Sequence, residues 1–302
     1  MYSEDDEIQF LGGQDYKPKA KDKVPPTASP ATKRFWNRRN VSIIIAAFAA
    51  IVITTFCGLY YLKHFYWTVD FDYPLSRSCG RIFSDLKKSS GATKPTSVTF
   101  VIDSINGVPM RLFNLKGLHA SIAEKMPSLD DSKAVLITQA WDYYTDEDNK
   151  LHYLGEFILN GTQSSHGKGR AGFVIITRQG WQMGISQNDS IRNYVQEQQG
   201  SMFRQFALVS SGQICLKQFA LKGKVHRRAL ARKAGSASAY YVETVHKESL
   251  YDFAEALADY GFIDAIYLTG ADGTEPCFRD AEGNMQGNKE AWAHKNNLLI
   301  FS

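Results

Sequence analysis

Three short stretches concentrate side chains that can do chemistry. Thr138-Gln-Ala-Trp-Asp-Tyr-Tyr144 places an amide, an indole, a carboxylate and two phenols in one loop at a strand end. Gln139, Trp141 and Tyr143 would orient a sugar ring by stacking and hydrogen bonding. The same aromatics would serve equally well to close a core corner. His226-Arg-Arg-Ala-Leu-Ala-Arg232 opens on two adjacent arginines. On a strand, Arg227 and Arg228 point to opposite faces, so one can line a cleft while the other meets solvent. A planar guanidinium fork fits a phosphate, and a solvated pair is the alternative. Ile266-Tyr-Leu-Thr-Gly-Ala-Asp-Gly-Thr-Glu275 runs from a strand into a loop carrying Thr269, Gly270, Asp272 and Glu275. Such a loop lets backbone N–H groups approach an anion and sets carboxylates at a strand end, where a plain turn is the alternative.

Glycosidic cleavage takes a general acid and a second carboxylate or nucleophile, for which Asp142, Asp272 and Glu275 are the candidates. The seven histidines are scattered. There is no Gly-x-Ser-x-Gly, no P-loop and no His-Glu-x-x-His, and no two cysteines stand at zinc-binding spacing. No metal and no cofactor is expected. A net charge of +4 over 302 residues gives no electrostatic footprint for nucleic acid.

These stretches need a strand-rich frame. Apolar, β-branched runs predict strands at 98–103, 134–138, 172–177, 206–209, 239–243, 265–269 and 298–301. Ile105-Asn-Gly107 and Ser211-Gly212 supply turns. Leu250, Phe253, Ala254 and Leu257 fall on one helical face between Lys247 and Tyr260, with Gly261 placed for a left-handed cap. A shorter helix is expected around 190–199. The fold class is therefore α+β, a strand-rich single domain with few helices.

A different solvent surrounds the segment from Val41 to Leu62, which contains no charged residue. At ~1.5 Å per residue it crosses a hydrocarbon core of ~30 Å, and it is too long for the apolar part of a cleaved signal. Lys21, Lys23, Lys33, Arg34, Arg38 and Arg39 precede it, against Lys63, Arg77 and Arg81 after it. The positive-inside rule then puts the N-terminus in the cytoplasm and the main domain outside, in the periplasm of a bacterium. The expected organisation is a disordered tail at 1–40, a transmembrane helix at 41–62, a membrane-proximal segment at 63–96 and a domain at 97–302. Among Cys79, Cys215 and Cys277, at most one internal bridge can form.

In order, the three stretches resemble the phosphodiester glycosidase family over roughly 97–302. Phe203-Arg-Gln-Phe-Ala-Leu-Val-Ser-Ser-Gly212, His226-Arg-Arg-Ala-Leu-Ala231, a helix and Asp264-Ala-Ile-Tyr-Leu-Thr-Gly270 follow the family's order of a "dG" turn, "RTAIG", a helix and "LNLDGGGSS". Arg227 falls on the motif arginine and Gly270 on the first glycine of the last motif. The departures are specific. Gln139-Ala-Trp-Asp-Tyr-Tyr144 stands in place of "NGGFF", Arg228 in place of the motif threonine, and Thr269 in place of the motif aspartate. Asp272 is the nearest carboxylate to that lost aspartate. The resemblance implies a membrane-anchored, extracytoplasmic enzyme that hydrolyses a sugar phosphodiester or related glycan. The lost motif residues imply the other reading, a catalytically inactive envelope module that binds glycan or protein on the same fold.

Overall fold

The computed structural model describes residues 38–62, 95–128, 133–167, 170–216, 223–235 and 239–302. The expected tail, nearly all of the membrane-proximal segment and Cys79 lie outside the described residues. The chain divides into two compact units, Met1–Thr55 and Phe56–Ser302.

Helix α1 spans Arg38–Tyr61, beginning three residues ahead of the apolar run that starts at Val41. Its segment Asn40–Tyr61 has a mean hydropathy of 2.4 and buries none of its surface. It is long and apolar enough to cross a membrane. Within it, the Thr54 hydroxyl donates to the carbonyl of Ala50 at 2.8 Å, which satisfies the hydroxyl without water.

The remaining elements are strand-rich, and every strand pairing among the described residues is antiparallel. A seven-stranded sheet runs β1 (Phe100–Ile105), β2 (Val108–Asn114), β15 (Ala239–Thr244), β14 (Arg228–Lys233), β16 (Phe262–Leu268), β12 (Ala207–Ser210), β13 (Gln213–Ile214). A five-stranded sheet runs β10 (Gly180–Ile185), β9 (Gly172–Thr177), β11 (Ser201–Gln205), β7 (Phe157–Leu159), β8 (Thr162–Ser165). A second five-stranded sheet runs β18 (Met285–Gln286), β17 (Cys277–Arg279), β4 (Leu136–Gln139), β19 (Leu298–Phe301), β3 (Ala120–Ala123). A hairpin pairs β5 (Tyr143–Thr145) with β6 (Leu151–Tyr153). Three further helices are described, α2 (Ser190–Glu197), α3 (Leu250–Asp259) and α4 (Lys289–Trp292).

Period-two alternation builds the layers. On β14, Leu230 enters a central core shared by all three large sheets, while Ala229 and Ala231 face the helix side with Phe253 and Leu257 of α3. On β9, Val174 joins the central core, while Phe173 and Ile175 pack on Ile191 and Val195 of α2. On β19, Leu299 and Phe301 point to the central core and Leu298 and Ile300 to Trp292 of α4. Helices α2, α3 and α4 thus each cover one sheet's outer face.

All seven expected strands and both expected helices are present, with ends moved by up to three residues. Asn106 and Gly107, at φ 55° and 78°, form the expected β1–β2 turn. Gly261, at φ 92°, follows α3 in the left-handed conformation that only a residue without Cβ adopts freely. No disulfide forms among the described cysteines, and Cys215 and Cys277 are both buried.

Candidate functional site

The sheet register builds a charged row inside the domain. Arg111 on β2 pairs across to Glu243 on β15, and Glu243 pairs across to Arg228 on β14. The Glu243 carboxylate meets Arg111 Nε at 3.0 Å and Arg228 Nε at 3.5 Å, and it accepts from the Tyr241 hydroxyl at 2.9 Å. Glu243 is 3% exposed and Arg228 2%. Burial pushes the Glu243 carboxyl above its ordinary value, although Arg111 and Arg228 pull it back. Burial pulls Arg111 down, but Glu243 and Glu275 outweigh it and leave it raised.

Arg228 joins all three stretches. Its Nη1 donates to Gln139 Oε1 at 3.3 Å, and its Nη2 donates to the Thr274 carbonyl. Gly270 lies flat against it: at φ 148°, a Cβ there would fall 1.9 Å from Arg228 Nη1. Glu275 reaches the row through Arg111 Nη2 at 2.7 Å, with its own side chain 61% exposed. The cavity beside the row is about 50 Å³, on the scale of one or two waters, and holds no sugar ring. Arg227, just ahead of β14 and also lining this cavity, donates from Nε to the Glu248 carbonyl at 2.9 Å and from Nη2 to the Gly223 carbonyl at 3.0 Å. Burial lowers its pKa, and Tyr267, hydrogen-bonded to it, opposes that shift. Both guanidiniums assigned to a phosphate are thus engaged by protein oxygens.

A second cluster surrounds Asp142. Thr269 Oγ1 donates to Asp142 Oδ1, Gln205 Nε2 donates to Oδ2 at 3.3 Å, and Arg170 Nη1 lies 3.1 Å from Oδ2. Arg170 Nη1 also donates to Gln205 Oε1 at 3.1 Å, and its guanidinium lies over the Phe206 ring, 4.7 Å from the centroid. Tyr267 lies close enough to feel Asp142: burial raises the phenol, Arg227 opposes the rise and Asp142 adds to it. The Asp142 side chain is 27% exposed, so a ligand hydroxyl can reach it.

The structure therefore brings Asp142 together with Thr269, and Gln139 with Arg228 and Gly270. Others have different partners. Asp272 accepts from the Thr274 amide at 3.1 Å and pairs with Lys295. Trp141 is a correction to the sugar-platform reading: it is 1% exposed, with Phe157 4.6 Å and Phe203 5.6 Å away between ring centroids. It closes the core corner instead. Tyr143, half-buried, pairs with Tyr153 across the β5–β6 hairpin.

Sequence reasoning missed Arg111, Arg170, Gln205, Glu243 and Tyr267. The usable signal was charge inside apolar runs: Arg204-Gln205 breaks the run from Met202 to Val209, and Glu243 ends that of Ala239–Val242. A charge in such a place is buried and paired. Among the described residues, no group of three or more His, Cys, Asp or Glu is arranged to hold a metal ion.

No protein-family model matches the chain, and no curated protein does. Among solved structures, the chain is similar to the catalytic domain of zebrafish N-acetylglucosamine-1-phosphodiester alpha-N-acetylglucosaminidase, auto-inhibited by its pro-peptide. Identity is 13%, with 70% of this chain and 84% of that chain covered at a TM-score of 0.48. It is also similar to a hypothetical protein from Synechocystis, at 13% identity over 68% of this chain and 61% of that one, with a TM-score of 0.45. Below 0.5, neither likeness carries an argument about what this chain does.

Proposed function

We propose that the protein is a membrane-anchored, extracytoplasmic glycan-binding module whose Asp142 cluster takes sugar hydroxyls. One observation carries this reading. The three candidate carboxylates stand in three separate ion pairs, Asp142 with Arg170, Asp272 with Lys295 and Glu275 with Arg111. Two-carboxylate hydrolysis needs its pair facing one bond, about 5–9.5 Å apart. Asp142, its carboxylate fixed by Arg170 and by the buried Gln205, instead offers a held acceptor on a part-exposed edge, a pattern suited to binding a hydroxyl.

A second reading is hydrolysis of a sugar phosphodiester, with Asp142 as the working carboxylate. It is favoured by the meeting of Asp142, Gln205 and Thr269, residues distant in sequence, at one point. A titration of the full chain in detergent with N-acetylglucosamine and its phosphodiesters decides between them. Binding without sugar release, weakened about tenfold or more in Asp142→Asn, supports the module. Sugar release that is lost in Asp142→Asn selects the hydrolase.

A further inference from the structure

Among the described residues outside α1, the exposed large apolar side chains are Val101, Ile102, Tyr144 and Leu154. Tyr144 and Leu154 belong to the β5–β6 hairpin and its exit, beside Asp142. The Leu154 amide donates to the Asp142 carbonyl at 2.8 Å, which carries the ladder one pair beyond Tyr143↔Tyr153 and Tyr144↔His152. Opposed residues share a face, and so do alternate residues of one strand. Asp142, Leu154, Tyr144 and His152 therefore line one face of the hairpin. Tyr153 takes the other face, its ring centroid 4.3 Å from that of Phe157 and 6.1 Å from that of Trp141.

The Tyr144 ring is held before any ligand arrives. It stacks on His152, 4.9 Å between centroids and 13° between planes. His152 Nε2 lies 2.6 Å from Asp146 Oδ2, and Asp146 Oδ1 accepts from the amides of Asp148 and Lys150 at 3.1 and 2.8 Å. His152 covers one face of the phenol ring, yet Tyr144 is still 52% exposed. A ring already fixed in place lowers the ordering cost of binding. Two residues along a strand advance about 6.5 Å, roughly the length of one sugar ring, so Tyr144 stands one ring on from Asp142. Within the hairpin, Asp146, Glu147 and Asp148 stand against Lys150 and His152, a surplus of carboxylates that repels an anion.

We infer that this face of the hairpin is a second sugar subsite: a neutral oligosaccharide that bonds to Asp142 through one ring lays its next ring on Tyr144. A pyranose presents a face of C–H groups to a phenol ring and keeps its hydroxyls at the edge, in water. Leu154, opposite Asp142, extends the apolar strip. The subsite rests on the glycan-binding reading and deepens it, because Asp142 alone selects a single ring and the hairpin selects a linked pair. Buried Trp141 leaves the aromatic role open, and Tyr144, three residues on, fills it.

The test is calorimetric titration of the full-length protein in detergent with N-acetylglucosamine, glucose, N,N′-diacetylchitobiose, cellobiose and the hyaluronan disaccharide. A neutral disaccharide is expected to bind about three- to tenfold tighter than its own monosaccharide, the gain from one aromatic contact. Tyr144→Ala is expected to abolish that gain, and Tyr144→Phe to keep it, because the ring binds and its hydroxyl does not. Tyr144 is exposed, so neither change reaches the core, and a gain read as a ratio within one variant is not imitated by loss of folding. Asp142→Asn is expected to weaken monosaccharide and disaccharide alike. Disaccharides that bind no tighter than their monosaccharides, or a gain that survives Tyr144→Ala, overturn the subsite and leave the Asp142 reading standing. So does tighter binding of the hyaluronan disaccharide, which carries a carboxylate, than of both neutral ones. No binding of any of these sugars at millimolar concentration overturns the glycan-binding reading and the subsite together.

Discussion

Glu243 sits between two arginines in a row that the strand register creates. Removing one member of a buried ion cluster leaves the others charged and unpaired, at a typical cost of about 3–5 kcal/mol. Glu243→Gln is therefore expected to destabilise the domain by about that amount, read from urea unfolding of the purified protein. A loss under about 1 kcal/mol would mean that water reaches the row. Gly270→Ala tests the same row from its other side. The added methyl falls on Arg228 Nη1, and φ 148° resists any side chain. Arg228 must then leave Gln139, so a stability loss comparable to that of Glu243→Gln is expected. The pH response of single residues divides by sign. Glu243 has a raised pKa, so its contribution is present below the ordinary carboxylate range and is lost as pH rises through the raised value. Asp272 is the reverse. Burial raises it, but the Lys295 ammonium and the Thr274 amide outweigh burial and lower it. Its contribution is present above the ordinary value of 3.8 and is lost as pH falls through the lowered one. Asp272→Asn should flatten the fall in melting temperature on acidification below that value, measured as melting temperature against pH.

At the scale of elements, local chemistry decides where chain segments start and stop. The Ser249 side chain accepts from the Asp252 amide at 3.0 Å and so caps α3, whose Phe253 and Leu257 are fully buried against the seven-stranded sheet. Ser249→Ala is expected to cost about 1 kcal/mol, because one N–H at the helix start loses its acceptor. Differential scanning calorimetry would show this as a lower melting temperature. This helix was legible in the sequence for the same reasons that it is stable: the spacing of its apolar face and the glycine behind it. Strands β9 and β19, each paired on both sides, were equally legible as apolar runs. β11 was not, because Arg204 and Gln205 are buried polar groups whose partners come from distant segments. The short strands β5 to β8 lack such runs, and their pairing comes from turns such as Asn160-Gly161, at φ 49° and 80°. The candidate site was half legible on the same principle. Thr269 and Asp142 stood out as polar groups at strand ends. Arg170 gave no sign, since nothing in one segment announces a cluster formed by four.

The whole molecule combines an apolar helix with a polar-lined, strand-rich domain, and the proposed functions depend on which side of the membrane that domain occupies. Orientation is a matter of charge number near the span. Six basic residues precede it within twenty positions and three follow. Replacing Lys33, Arg34, Arg38 and Arg39 by glutamine leaves Lys21 and Lys23, two against Lys63, Arg77 and Arg81. The bias is then reversed, and positive-inside sorting no longer favours an external domain. Glutamine is the right replacement, because acidic residues add little to sorting and would confuse the comparison. In sealed membrane vesicles of cytoplasm-inside orientation, protease added outside is expected to digest the domain of the unaltered protein. In the four-fold variant a substantial fraction should be protected. Full protection of the unaltered domain would place it in the cytoplasm. The proposed carbohydrate site would then face a different set of ligands, and the binding of external glycans would have to be abandoned, whatever the titrations gave.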